Sequence, residues 1–199
     1  MTKAEITGPT AEDARRTRIL EGARQAFLAY GFQRTTMDDI ARAAEISRPA
    51  LYLMFKNKTD IYRALAAVHT SEMIATAEAV LSGEGPLSER LESSFNCILT
   101  MAAEVEASPH GHEILDMKNS LAGEIIVEWR RRMVELVEAA VEAEMAAKGD
   151  SQAAGASARM LAEMLLDAME GMKTRQLPLE QQRQTFTAFI RIVADAAAR

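Results

Sequence analysis

The chain of 199 residues has a single cysteine, Cys97, only 5 prolines and only 5% aromatic residues. One cysteine excludes an internal disulfide framework and suits a reducing cytoplasm. With little proline and few β-branched runs, beside abundant alanine, leucine, glutamate, arginine and methionine, strands are disfavoured and helix is favoured nearly everywhere. No apolar run approaches the roughly 20 residues that span a bilayer. The first residues, MTKAEITGPTAEDARR, lack an apolar core behind their charges, so no secretory signal is expected and the expected compartment is the cytoplasm. Internal repeats and low-complexity segments are lacking as well. What remains, 48% hydrophobic and 26% charged, is the composition of a globular protein.

The net charge of -6 divides unevenly along the chain. Residues 1–63 hold 11 Lys/Arg against 8 Asp/Glu, a net of +3, whereas residues 64–199 hold 12 against 21, a net of -9. Only a surface next to phosphates has to be positive, so the asymmetry permits nucleic-acid binding at the N-terminal end without demonstrating it.

Periodicity organises the rest. Residues 1–10 contain Gly8 and Pro9 and read as a frayed arm. From about Ala11 to Tyr30, Ile19, Ala23, Ala26, Phe27 and Tyr30 share one helical face, and Gly31 stands where a left-handed cap is expected, with Phe32 able to fold back. Thr36, followed by Asp38 and Asp39, reads as the cap of a short helix carrying Met37, Ile40, Ala41 and Ala44. Ser47 caps a third helix with Pro49 in its first turn. Its inner face is Leu51, Met54 and Phe55. Asn57 caps a fourth, running from about Lys58 to Leu81. SGEGP at 82–86 is the clearest break. Beyond it, helices are expected at about 87–106 and 110–119, then a long one to about Ala147, then about 151–172 and 179–198.

Three short helices with a tight connection between the second and third describe a helix-turn-helix. In such a unit the second helix crosses the DNA backbone and the third presents its outer face to the major groove. Helix starts at Thr36, Ser47 and Asn57 offer backbone N–H groups to phosphates. Each residue also has a plainer reading. Thr36 and Ser47 would serve as caps in any helical protein, Tyr52 and Phe55 could be core, and Arg48 and Lys58 could be solvated.

The segment RILEGARQAFLAYGFQRTTMDDIARAAEISRPALYLMFKNKTDIYRAL resembles the DNA-binding domain of the TetR family. The matching features are Arg16 to Leu20, Ala26-Phe27 before Gly31-Phe32, Thr35-Thr36, Ile40-Ala41, Ala44, Ile46-Ser47, Leu51-Tyr52, Phe55 and Lys58. The resemblance covers about a quarter of the chain. It implies an all-α protein of about nine helices: an N-terminal three-helix DNA-binding domain at 12–72, its helix-turn-helix at about 35–55, and a larger C-terminal effector-binding and dimerisation domain at 73–199. It further implies that Thr35, Thr36, Ser47, Arg48, Pro49, Ala50, Tyr52 and Lys58 form the DNA-binding set. In that set Thr36 holds a phosphate, Arg48 donates two hydrogen bonds to guanine and Ala50 meets a thymine methyl, while Tyr52 and Lys58 reach further phosphates. Two positions depart from the pattern. Glu45 replaces the usual turn glycine, at a cost of roughly 1–2 kcal/mol if the backbone there is left-handed. Met54 replaces a histidine or tyrosine, removing one phosphate hydrogen bond.

The last two helices carry wide apolar faces, Leu161, Leu165, Ala168 and Met172 on one and Phe186, Phe189, Ile190 and Val193 on the other, as suited to a core as to an interface. The resemblance implies a four-helix bundle with a second copy, so Leu161, Leu165, Met172, Phe186, Phe189, Ile190 and Val193 are the expected dimer contacts, and a homodimer implies a palindromic operator. Candidate effector contacts between about 64 and 175 are Met73, Phe95, Met101, His112, Met117, Trp129, Met133 and Met164, since methionine suits loosely specific apolar pockets. The bland alternative is ordinary core. His110, His112, Glu113 and Asp116 raise a metal sensor, but two histidines so close rarely share a metal without further ligands. Neither a metal nor a cofactor is expected. An enzyme would need Cys97 paired with His110 or His112, and SFNCILT resembles no nucleophile motif. The partners expected are double-stranded operator DNA, a second copy and a small-molecule effector. The function expected is a repressor released by that effector, with a transcriptional activator or metal-responsive regulator as alternatives.

Overall fold

The computed structural model describes residues 10–116, 118–149, 155–174 and 177–198. The described residues form an all-α chain with ten helical segments: α1 (Ala11–Tyr30), α2 (Met37–Ala43), α3 (Arg48–Met54), α4 (Lys58–Leu81), α5 (Leu87–Glu106), α6 (Gly111–Asp116), α7 (Lys118–Leu121), α8 (Gly123–Lys148), α9 (Ala158–Thr174) and α10 (Leu179–Ala197). The short α6 and α7 stand where the sequence suggests one helix at about 110–119, separated by one residue. The ninth is described from Ala158, where the Ser157 hydroxyl accepts the Met160 N–H at 3.2 Å after Gly155 with φ +81°; the expected start near 151 lies outside the described residues. No helix among the described residues is long and apolar enough to cross a membrane.

Packing divides the chain into two units that do not follow chain order. The first holds residues up to Val68 together with Val105–Gly123; the second holds His69–Glu104 and Glu124 onward. In the first unit, reciprocal capping boxes start α1 and α2, Thr10 with Asp13 and Thr36 with Asp39. The inner faces bury Ile19, Ala23 and Phe27 of α1, Ile40 of α2, Leu51 of α3 and Ile61 of α4. Each large side chain so buried contributes about 1.5–3 kcal/mol. Phe27, Phe32 and Tyr62 pack as an aromatic triad with centroids 5.2 to 6.3 Å apart. Gly22 lets α1 approach α2 closely: a Cβ there would lie 2.7 Å from the Ala44 nitrogen.

The second unit is a core of helix faces. Leu91, Phe95 and Ile98 of α5 share it with Met133, Val137 and Val141 of α8, Leu165, Leu166 and Met169 of α9, and Phe186, Ile190 and Val193 of α10. Phe95 and Phe186 meet edge to face, 4.8 Å between centroids. Ion pairs from Arg130 to Asp167 and Glu170, and from Arg159 to Glu138, join α8 to α9 at their rims.

Candidate nucleic-acid interface

The turn between α2 and α3 is a Schellman arrangement. The Ile46 N–H donates to the Ala41 carbonyl at 3.0 Å and the Glu45 N–H to the Arg42 carbonyl at 3.2 Å. Its left-handed position is filled by Glu45, φ 54°, the one non-glycine residue with positive φ among those described. The strain expected of this substitution is therefore present, and the tight turn forms in spite of it.

That turn aims α3. Ser47 caps it, its hydroxyl accepting the Ala50 N–H at 3.3 Å, with Pro49 in the first turn. Leu51 is fully buried and Phe55 nearly so, which leaves Ser47, Arg48, Pro49 and Tyr52 exposed and Ala50 half-buried. Met54 is half-buried, and Leu53 is 85% exposed. The guanidinium of Arg48 donates through Nη1 to Asp38 Oδ2 at 2.9 Å and lies 5.5 Å from the centroid of the Tyr52 ring. Hydrogen bonding with Tyr52, followed by the charge of Asp38, raises the Arg48 pKa further above its ordinary value, so the group is always a cation.

Three members of the expected set sit differently. Thr35 is 1% exposed and its hydroxyl donates inward, to the Gly31 carbonyl at 2.7 Å and the Ala26 carbonyl at 3.2 Å, so it braces the α1–α2 turn instead of meeting DNA. Lys58 folds back as well. Its ammonium donates to the carbonyls of Phe32, Gln33 and Thr35 at 2.7, 2.9 and 3.0 Å and sits 4.7 Å from the Phe32 ring centroid. An ammonium has three N–H groups, all thus committed, and none is left for a phosphate. Thr36 is exposed, but its hydroxyl and its N–H both donate to Asp39 Oδ2, at 2.6 and 2.9 Å, so a phosphate there would have to displace a carboxylate. These bonds hold the Asp39 pKa below the usual carboxylate value.

The segment Val105–Gly123 packs within the same unit. Glu113 Oε1 accepts the Gln33 N–H at 3.2 Å, and the Tyr62 hydroxyl donates to the Ile114 carbonyl at 2.8 Å. Burial pushes the Tyr62 phenol up to about 12, so it keeps the proton it donates. His112, expected among effector contacts, is exposed in this unit and not in the second. Sequence reasoning gives Asp38 only a place in the first turn of α2 and Glu113 only a metal reading; the partner of each lies on another element, which no local spacing reveals.

In the second unit, the expected dimer contacts Leu161, Leu165, Met172, Phe186, Ile190 and Val193 are 0–6% exposed, so they fill the chain's own core, and Phe189 is half-buried against it. The periodicity, which suits a core as well as an interface, marks the apolar face that packs here within the chain. The outward apolar residues of these helices are Met160, Met164 and Ile192, 44–65% exposed. Met164 therefore belongs to the outer surface and not to an internal pocket. Of the other effector candidates, Phe95, Trp129 and Met133 are buried, Met73 packs against the core, Met101 is half-buried and Met117 lies outside the described residues. Among the described residues, four polar atoms in this unit, His69 Nδ1, Ser94 Oγ, Trp129 Nε1 and Arg183 Nε, are buried without a hydrogen-bond partner. Among the described residues no cluster of histidine, cysteine or carboxylate groups could hold a metal ion.

The fold and this site define a helix-turn-helix protein with an arginine-led outer helix. Residues 19–65 match the family model for bacterial regulatory proteins of the tetR family, so this stretch, which holds the helix-turn-helix, is similar to that family's DNA-binding domain. The chain is 29% identical over 85 residues to the uncharacterized HTH-type transcriptional regulator YhgD of Bacillus subtilis, covering 43% of this chain and 44% of that protein. It is 39% identical over 64 residues to the HTH-type transcriptional repressor Rv1474c of Mycobacterium tuberculosis, covering 32% and 34%. The matched stretches thus span less than half the length of these curated relatives. In fold it is similar to SmeT, the repressor of the Stenotrophomonas maltophilia multidrug efflux pump SmeDEF, with a TM-score of 0.65 at 19% identity over 88% of this chain and 87% of that one; SmeT has also been solved as a triclosan complex.

Proposed function

We propose that this chain is a repressor that binds a palindromic operator as a homodimer and is released from it by a small, largely apolar effector. The observation that carries the DNA-binding part is the exposed edge of α3, where Ser47, Arg48, Pro49 and Tyr52 face outward around a permanent cation. Arginine there suits a bidentate contact to guanine in the major groove, and Tyr52 suits a phosphate. Residues 12–72 are assigned to DNA binding and 73–199 to effector binding and dimerisation. One short helix supplies too few contacts for a specific site, which is the physical reason for a dimer. The exposed Met160, Met164 and Ile192 on α9 and α10 suit that interface.

The effector reading rests on the second unit's apolar core and on polar atoms there without hydrogen-bond partners among the described residues, Trp129 Nε1 and Ser94 Oγ among them. An unpaired buried polar atom costs about 1–3 kcal/mol, so a ligand that is mostly apolar but carries a hydrogen-bond acceptor would be favoured. The relatives Rv1474c and SmeT are repressors by name, and SmeT takes triclosan. A ligand that binds the form unfit for the operator better than the fit one shifts the population off DNA.

A gel-shift titration with duplex from upstream of the chain's own gene tests the reading. Binding should weaken steeply as salt rises, because phosphate contacts release counterions. Absence of salt-sensitive binding would overturn it. Placement of the bound site relative to the promoter separates repressor from activator.

A further inference from the structure

We infer that Asp38 is a specificity-determining positioning residue, which holds the Arg48 guanidinium in the orientation that reads a guanine. The inference rests on the DNA-binding reading above and names what sets base choice at that site. Asp38 and Asp39 are the second and third residues of α2. Asp39 does all the capping, accepting the Thr36 hydroxyl and N–H. Asp38 takes no part in the cap. Its side chain is 51% exposed, on the unit that would approach phosphates. A negative charge there opposes binding of every duplex, whatever its sequence. Nor does its ion pair do much for the fold, since pairs between exposed side chains are screened by water and salt. Beyond the general advantage of a carboxylate in a helix's first turn, its pairing with Arg48 calls for an explanation.

The geometry supplies one. Arg48 lies ten residues further on, at the start of α3, and its Nη1 reaches Asp38 Oδ2 at 2.9 Å while the Tyr52 ring lies 5.5 Å from the guanidinium carbon. A planar group held at one nitrogen and against a ring has lost most of its freedom to rotate. The Asp38 bond uses one N–H of a five-donor fork, leaving others for a coplanar pair of hydrogen bonds to guanine O6 and N7. A flexible arginine would also bind phosphates and other bases. A fixed one discriminates, because a mismatched base then leaves donors unpaired near a carboxylate. Asp38 thus gives up general affinity for selectivity.

The test uses the full chain and a pool of random-sequence duplexes. The sequence enriched by the wild-type protein is remade with each guanine replaced in turn, and affinities are measured for wild type, Asp38→Asn, Asp38→Glu and Arg48→Ala. Wild type should discriminate most strongly at one guanine, and Arg48→Ala should lose that preference. Asp38→Asn should cut the preference at that same guanine about tenfold, raise affinity for unrelated duplex and leave the melting temperature unchanged. Asp38→Glu should recover part of the preference. Adding Asp38→Asn to Arg48→Ala should change the preference no further. Equal weakening on all duplexes, or a further change of preference when Asp38→Asn is added to Arg48→Ala, would overturn the inference while leaving DNA binding intact. Failure of the wild type to enrich any sequence would overturn both readings.

Discussion

Glu113 accepts the backbone N–H of Gln33 at 3.2 Å, across 80 residues of chain. The contact ties the Val105–Gly123 segment to the α1–α2 turn, and Tyr62 strengthens the tie by donating to the Ile114 carbonyl. The other carboxylate oxygen of Glu113 occupies the space that a side chain on Gly31 would need, 2.5 Å from a built Cβ. Glu113→Ala should therefore speed hydrogen exchange at the Gln33 amide and lower stability by about 1 kcal/mol. Exchange at Gln33 as slow as in the wild type would show that the contact does not persist in solution.

Lys58 invites a test that separates two roles. If its ammonium caps the carbonyls of Phe32, Gln33 and Thr35, Lys58→Met should lower stability by about 2 kcal/mol, with hydrogen bonds from a charged group each contributing about 1.5–3 kcal/mol before the partly exposed site is discounted. If it instead neutralised a phosphate, the variant would melt normally and the slope of log affinity against log salt would fall by about 1. Thermal melting and a salt titration on one preparation decide between these outcomes.

The helices were legible where local chemistry sets them. Thr36, Ser47 and Asn57 cap their helices as expected, Asn57 accepting the Asp60 N–H at 2.9 Å. The strain at Glu45 was legible too, because it depends on one residue's backbone. What sequence could not give is the partner of a side chain. Lys58 and Thr35 look like outward polar groups until the carbonyls they serve are placed beside them. Leu165 and Met164 are neighbours on one apolar helix, yet one is fully buried and the other 44% exposed, a distinction that depends on which helices pack where.

Glu45→Gly should stabilise the protein by about 1 kcal/mol, since glycine removes the Cβ clash at φ 54° and loses some of that gain to a more flexible unfolded chain. Thermal unfolding measures it. A lower melting point would mean that the Glu45 side chain makes a compensating contact.

The Thr36–Asp39 capping box gives stability a pH dependence of known sign. The Asp39 pKa is lowered in the fold by the Thr36 hydroxyl and N–H, so near and below the ordinary aspartate value of about 3.9 the unfolded chain binds more protons than the folded one. The contribution is complete above that value and is lost as pH falls through the folded pKa. Asp39→Asn should flatten this acid limb and leave the remaining pH profile as it was. An unchanged acid limb in the variant would assign the titration to other carboxylates.

The outer face of the second unit gives the sharpest separation of core from interface. Leu165 is fully buried, so Leu165→Ala should cost about 2–5 kcal/mol of stability through lost packing and the cavity left behind. Met164 and Ile192 are 44% and 65% exposed, so Met164→Glu with Ile192→Glu should leave a single chain folded. If a second copy covers that face, two desolvated carboxylates per chain would split the dimer, because buried unpaired charges are strongly unfavourable. Sedimentation should then show a monomer with wild-type helicity, and operator affinity should collapse because each half-site loses its tethered neighbour. A charged variant that still sediments as a dimer would place the interface elsewhere on the chain.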